Sequence, residues 1–319
     1  MKYLITGGAG FIGSHIAEEL VSRGESVTVF DNLETGKMEN VNPFLNKIRF
    51  VKGDIRDLEL LLKEMEGIDF VLHQAALRSV PKSVADPLPY FEVNVKGHYN
   101  VLEAARQNKV KGVTFASSSS VYGNTDRFPQ TEDQPTMPES PYSVTKLAGE
   151  GLCRFFHRTY GLNAISLRYF NVFGPRQSLE NKYAVVIPFF IKRILEGKSP
   201  IIYGDGEQSR DFTYVKEVVK ANLAALQAKN EGGEVFNVSE GKTITINELV
   251  RKINELLGKS IPSEYQLPRA GDVLKTQGSP IKSKEKLDFI VKTGFEEALQ
   301  QTANWFQSEA NKCKNAKQE

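Results

Sequence analysis

The strongest constraint on what this chain can fold into is the run Thr6-Gly7-Gly8-Ala9-Gly10-Phe11-Ile12-Gly13-Ser14. It follows an apolar stretch that reads as a strand, residues 2–6, and opens an amphipathic stretch that reads as a helix, residues 11–22. Glycine is needed where a chain turns sharply and where backbone must come close to a bound phosphate. A helix starting there presents unpaired N–H groups and a partial positive charge to an anion. Glycine triplets are common, but Gly7, Gly10 and Gly13 set between a strand and a helix predict a dinucleotide-binding turn.

The first half of the chain keeps the same alternation. Residues 26–31, 48–52, 69–73, 112–117 and 163–168 read as strands; 58–65, 90–108 and 142–160 read as helices. Strands that are almost wholly apolar, separated by helices, predict a parallel sheet covered on both faces. After about Asn171 the pattern is punctuated by Gly174-Pro175, Pro188, Pro200, Gly204 and Gly206, with Pro188 breaking an apolar run over 183–191. A strand at 243–246 and helices at 247–257 and 295–307 follow, and the polar last dozen residues are expected to fray. The expected architecture is α/β: a Rossmann-type doubly wound parallel sheet over residues 1–171, then a smaller C-terminal α/β substrate-binding lobe over 172–319. Segments of that lobe are free to return to the first sheet.

Composition excludes several classes. With 41 Lys+Arg against 39 Asp+Glu the net charge is +2, which argues against coating nucleic acid or an anionic membrane. The 25% charged and 40% hydrophobic content is that of a globular chain of 319 residues with ample material for a core. Cys153 and Cys313 are far apart and share no motif, so neither a disulfide scaffold nor a cysteine zinc site is expected. The four histidines show no metal-ligand spacing. No signal-peptide or membrane-spanning pattern is present, and a reduced, cytoplasmic setting is the simplest expectation.

Asp31 closes the second strand, where an acidic side chain accepts from the adenosine ribose hydroxyls and repels a 2′-phosphate. NAD is therefore expected rather than NADP. Asp54 and Ile55, after the third strand, suit the adenine. Tyr142 and Lys146 stand four apart on a helix, on one face and one turn from each other. An ammonium beside a phenol lowers its pKa from about 10, so that the phenolate can take a hydroxyl proton. The run Ser117-Ser118-Ser119-Ser120 ends a predicted strand, where strand ends face the cofactor crevice.

These residues resemble the extended short-chain dehydrogenase/reductase family, specifically its nucleotide-sugar 4-epimerases. The likeness covers nearly the whole chain and rests on TGGAGFIGS (6–14), DN (31–32), GDI (53–55), HQAA (73–76), NVKG (94–97), SSSSVYG (117–123), YSVTK (142–146), RYFNVFGPR (168–176), GDGEQSRDF (204–212) and RAGD (269–272). It implies Ser118, Tyr142 and Lys146 as catalytic residues, with Ser120 assisting. It implies NAD contacts from Gly7, Gly10, Phe11, Ile12, Gly13, Asp31, Asn32, Asp54, Ile55, Gln74, Ala75, Ala76, Arg78, Asn94, Ser117, Tyr142, Lys146 and Tyr169.

For a UDP-sugar substrate it implies Arg210 and Arg269 on the phosphates, Asn171 on the diphosphate, and Asp272 on a ribose hydroxyl or a linked water. The segment Tyr183–Val186, Val185 included, would line the uracil; Ser79, Ser118, Ser120 and Thr276 would stand near the sugar, and Arg176 is a further cation candidate. Thr276, a small residue where some relatives place an aromatic, leaves room for an N-acetyl group. Related dehydratases carry an Asp-Glu pair, and decarboxylases a Glu, where this chain has Ser119-Ser120. The resemblance thus implies reversible oxidation at carbon 4 of UDP-GlcNAc/UDP-GalNAc and UDP-Glc/UDP-Gal by tightly held NAD. A UDP-glucuronate 4-epimerase, another nucleotide-sugar oxidoreductase and an NAD-sensing binding protein are the alternatives. A homodimer through helices 90–108 and 142–160 is the family-level expectation.

Overall fold

The computed structural model describes residues 1–179, 186–228, 230–268 and 273–315. Seven parallel strands form the central sheet: β1 (Lys2–Thr6), β2 (Ser26–Asp31), β3 (Arg49–Lys52), β4 (Phe70–His73), β5 (Gly112–Ser118), β6 (Ala164–Tyr169) and β7 (Val235–Val238). Their spatial order is β7-β6-β5-β4-β1-β2-β3. The chain runs outward from β1 in one direction and from β4 in the other. A crevice therefore opens above the C-terminal ends of β1 and β4, where such sheets bind ligands.

Eight helices matter for the site: α1 (Phe11–Ser22), α2 (Leu58–Glu64), α3 (His98–Gln107), α4 (Pro141–Tyr160), α5 (Val186–Leu195), α6 (Val215–Gln227), α7 (Ile246–Leu256) and α8 (Phe295–Asn315). Neighbouring strand residues point to opposite faces. Leu4 joins Val71, Phe115, Val101 and Phe156 in the core under α2, α3 and α4. Ile5 instead joins Ile16, Leu20, Val29 and Val219 under α1 and α6. Helix α3 is entered through the turn Leu88–Phe91 and a π-helical segment, Glu92–Gly97, an irregularity frequent at functional sites.

The second half meets one expectation and departs from two others. Residues beyond 171 do return: β7 pairs in parallel with β6, and α6 covers the sheet. Pro188 does not break its run but falls near the start of α5, where a missing N–H costs nothing. The expected fraying at the C-terminus does not begin at residue 308, since α8 continues to Asn315. Ala303 and Phe306 anchor it in a second core with Phe190, Ile194 and Ile253, and Lys312 Nζ donates to Glu309 Oε1 at 2.8 Å. Among the described residues no helix is long and apolar enough to cross a membrane.

Candidate active site

A cleft of about 1340 Å³ runs over the crevice at β1 and β4. Its floor is the glycine turn. Gly7 has φ +67, and a Cβ there would lie 2.7 Å from Ala75 N. A Cβ on Gly13 would lie 2.2 Å from Gly7 O, so the tight turn at the head of α1 excludes any side chain. Asp31, at the end of β2, accepts from Ala9 N at 3.0 Å and Leu33 N at 2.8 Å. Burial pushes its carboxyl above the usual range, against those two hydrogen bonds. Asp54 accepts from Arg56 and from Asn32 Nδ2, and the Arg56 guanidinium pulls its carboxyl down to about 2.

Seventeen of the eighteen residues expected to hold the cofactor line this cleft: Gly7, Gly10, Phe11, Ile12, Gly13, Asp31, Asn32, Asp54, Ile55, Gln74, Ala75, Ala76, Arg78, Ser117, Tyr142, Lys146 and Tyr169. Asn94 does not. Buried in the π-helical segment, it accepts from Leu77 N at 2.8 Å and donates to Leu77 O at 2.9 Å. It braces the backbone beside Arg78. Ser117 reaches the cleft wall, but its hydroxyl is spent on Glu150. Two dinucleotide requirements are met by this chain's own geometry: the side-chain-free glycine turn for the pyrophosphate and the Asp31 carboxylate at the ribose end.

Tyr142 lies in the first turn of α4. A reciprocal cap starts that helix: Ser140 Oγ accepts from Ser143 N at 3.2 Å, and Ser143 Oγ accepts from Ser140 N at 3.0 Å. Ser118, at the end of β5, accepts from Ser120 N at 3.1 Å and from Ser120 Oγ at 2.9 Å. With both acceptor positions taken, its own O–H is left to donate, and its side chain is near enough to the Tyr142 phenol to lower the phenol's pKa. Lys146 is buried, donates to Ala116 O at 2.7 Å, and sits 5.9 Å from the centre of the Tyr142 ring.

The charges differ from expectation. Desolvation pulls the Lys146 ammonium down from 10.5 to about 7. Desolvation also pushes the Tyr142 phenol up, and what opposes it is the Ser118 hydroxyl and the charge of Arg78. The charge of Arg78 thus works against the rise, while Lys146, 5.9 Å from the ring centre, has its own ammonium depressed by burial.

Sequence reasoning missed Asn222. Fully buried on α6, it donates to the Tyr169 hydroxyl at 2.8 Å and accepts from Gln74 Nε2 at 3.2 Å and Thr114 Oγ1 at 2.9 Å. The signal was an asparagine within the apolar run Ala221-Asn222-Leu223-Ala224-Ala225.

The expected substrate residues are not brought together in the same way. Tyr183, Val185, Arg269 and Asp272 lie outside the described residues. Asn171 Nδ2 donates to Asp211 O at 2.8 Å and to Thr276 Oγ1 at 2.9 Å, so these two side chains hold each other. Arg210 Nη1 donates to Ser209 O at 3.0 Å and lines a separate cavity of about 170 Å³ with Glu240 and Lys242. Ser79 caps the helix Val80–Ala85 by accepting from Lys82 N. Arg176 does line the main cleft, paired with Glu18.

A parallel doubly wound sheet, a glycine turn and a Ser-Tyr-Lys cluster define an NAD-dependent short-chain dehydrogenase/reductase. Comparison with known proteins makes this specific. Residues 3–239 match the NAD dependent epimerase/dehydratase family, and the chain belongs to it. It is 40% identical over 307 residues to a putative UDP-glucose 4-epimerase of Methanocaldococcus jannaschii, covering 96% of this chain and 98% of the relative. A UDP-N-acetylglucosamine 4-epimerase from Methanobrevibacter ruminantium, solved in complex with UDP-N-acetylmuramic acid, superposes with a TM-score of 0.92. It is 44% identical, over 97% of this chain and 98% of that one. The UDP-glucose 4-epimerase of Thermotoga maritima with UDP-glucose gives a TM-score of 0.92 at 38% identity, over 97% and 100%. The protein is an enzyme of this NAD-dependent family, and its cofactor is NAD.

Proposed function

We propose that this enzyme inverts carbon 4 of a UDP-hexose, interconverting UDP-GlcNAc with UDP-GalNAc and UDP-Glc with UDP-Gal. The observation that carries the reading is Tyr142 in the cleft with Ser118 beside it at the end of β5, and with serines rather than carboxylates at positions 119 and 120. An elimination or a decarboxylation would draw on a carboxylate there.

NAD supplies the acceptor and donor for the hydride removed from and returned to carbon 4. The chain's own residues handle the proton. Tyr142 takes it from the 4-hydroxyl, Ser118 donates to the phenolate oxygen, and Arg78 with the nearby cations stabilises that charge. The same groups return the proton after the keto sugar has turned over. Residues 172–319, apart from the segment returned to the sheet, supply the UDP-sugar lobe, with Arg210, Arg269 and Asp272 as its anchors; Asn171 joins them from the end of the first lobe, and Thr276 stands near the sugar. The small Thr276 and the resemblance to the Methanobrevibacter enzyme support acceptance of N-acetylated sugars.

The test is to incubate the enzyme with the four UDP-sugars and resolve the products by chromatography. Each pair should reach equilibrium from either side with no net NADH. Turnover of UDP-Glc with UDP-GlcNAc untouched would remove the N-acetylated substrates. Conversion of UDP-glucuronate alone would favour the uronate epimerase instead.

A further inference from the structure

The catalytic helix carries a third polar residue in step with Tyr142 and Lys146, and the proposed chemistry has no part for it. Glu150 lies one turn beyond Lys146 on α4. Its side chain and that of Arg168 are each 4% exposed. Arg168 Nε donates to Glu150 Oε1 at 2.8 Å and Nη2 to Oε2 at 2.7 Å. Ser117 Oγ donates to the same Oε1 at 2.5 Å.

The placement of these three residues is what gives the pair meaning. Ser117 on β5 and Arg168 on β6 are direct partners in the sheet, and the next pair along is Ser118 with Tyr169. One carboxylate thus ties α4 to two adjacent strands a single residue below the catalytic serine. The guanidinium is held on another side too: its carbon lies 4.6 Å from the centre of the Tyr122 ring. The Tyr122 hydroxyl donates to Asn237 Oδ1 on β7 at 2.7 Å. Tyr122 ends the short helical turn Ser119–Tyr122 that follows Ser118. Strand end, turn and catalytic helix therefore meet on one buried ion pair.

Such a pair is a poor source of stability, because desolvating two charges offsets their attraction. Its strength is geometric, since a two-point guanidinium–carboxylate contact fixes both distance and angle. We propose that Glu150 and Arg168 are positioning residues that hold Tyr142 and Lys146 at their working distance from Ser118. This rests on the epimerase reading of the site. A misplacement of about 1 Å between reacting groups lowers rate by roughly a hundredfold.

The experiment compares NAD-loaded wild type with Glu150→Leu/Arg168→Met, which removes both charges at once. Ser117→Ala, which leaves the ion pair intact, is the second variant. Turnover of a UDP-hexose by the wild type tests the functional reading separately. The titration of Tyr142 is followed by tyrosinate absorbance as a difference from the matching Tyr142→Phe protein, so it reports on positioning whether or not turnover occurs.

The double variant should keep or raise its thermal midpoint while kcat falls roughly a hundredfold, with KM within about twofold. The Tyr142 titration should move to higher pH as Tyr142 and Ser118 move apart. Ser117→Ala should give a smaller loss of kcat, about tenfold; Arg168→Lys, which keeps the charge and loses the two-point contact, should fall between the two and decides the matter if the double variant does not fold. An unchanged kcat and an unchanged phenol titration in the folded variants would overturn the proposal. So would a rise in KM at constant kcat.

Discussion

At the scale of the residue, Tyr142, Lys146 and Ser118 were legible because helix spacing and strand ends are local facts. Their ionisation was not, because it depends on burial that only the folded chain creates. Lys146 shows this most clearly. The unfolded chain holds its amine at the ordinary 10.5, and folding pulls it to about 7 through desolvation. Between those values the unfolded state binds a proton that the folded state lacks, so stability rises with pH across that window. Below pH 7 the whole penalty of burying the ammonium is carried, on the order of a few kcal/mol. Above 10.5 it is gone. Thermal midpoints of NAD-free wild type and Lys146→Met, measured from about pH 6 to 9, should show the wild type gaining on the variant above pH 7. The gain should approach about 1.4 kcal/mol per pH unit. A constant gap would mean that the buried amine does not lose its proton in this range.

At the scale of the element, the first half was readable almost to the residue, since each strand is a short apolar run and each helix has a polar face. Helix α6 was missed because nine of its 13 residues are buried, which leaves little of the polar periodicity that marks a surface helix. Strand β7 was missed because three apolar residues and an asparagine amid turns resemble any buried segment. The two together carry Asn222 to Gln74, Tyr169 and Thr114 and close the sheet beside the cleft. Asn222→Leu should remove hydrogen bonds from the buried Thr114 and Tyr169 and from the half-buried Gln74, and lower stability by about 1–3 kcal/mol. Because Gln74 and Tyr169 line the cleft, NAD affinity should fall as well. Calorimetry of unfolding and an NAD titration check both; loss of stability with affinity intact would separate α6 from the cofactor. The substrate residues resisted reading for a related reason. A motif places Arg210, Asn171 and Thr276 in sequence, but in the fold their polar atoms are taken up by Ser209 O, Asp211 O and one another.

At the scale of the whole molecule, the net charge of +2 says nothing about the site, which uses a few cations among 41. Exposed apolar surface says more. Leu88, Phe91, Tyr99, Phe155 and Tyr160 are between 40% and 67% exposed, on or beside α3 and α4. Tyr99, Phe155 and Tyr160 form one aromatic patch: Phe155 and Tyr160 ring centres lie 5.5 Å apart, and each of Tyr99, Phe155 and Tyr160 stacks edge-on against the buried Phe156. Scattered apolar residues on a surface need no explanation, but a contiguous patch on two neighbouring helices fits a second copy of the same face. We propose a homodimer through α3 and α4, with a mass of twice 35.7 kDa, about 71 kDa. The double variant Tyr99→Glu/Phe155→Glu places like charges in that patch and should reduce the mass by light scattering to one chain. Its NAD cleft should survive, because the patch lies on the outer side of helices whose inner faces hold the core. A wild type that scatters as a single chain at micromolar concentration would remove the dimer. A double variant that stays at twice the mass would move the interface elsewhere.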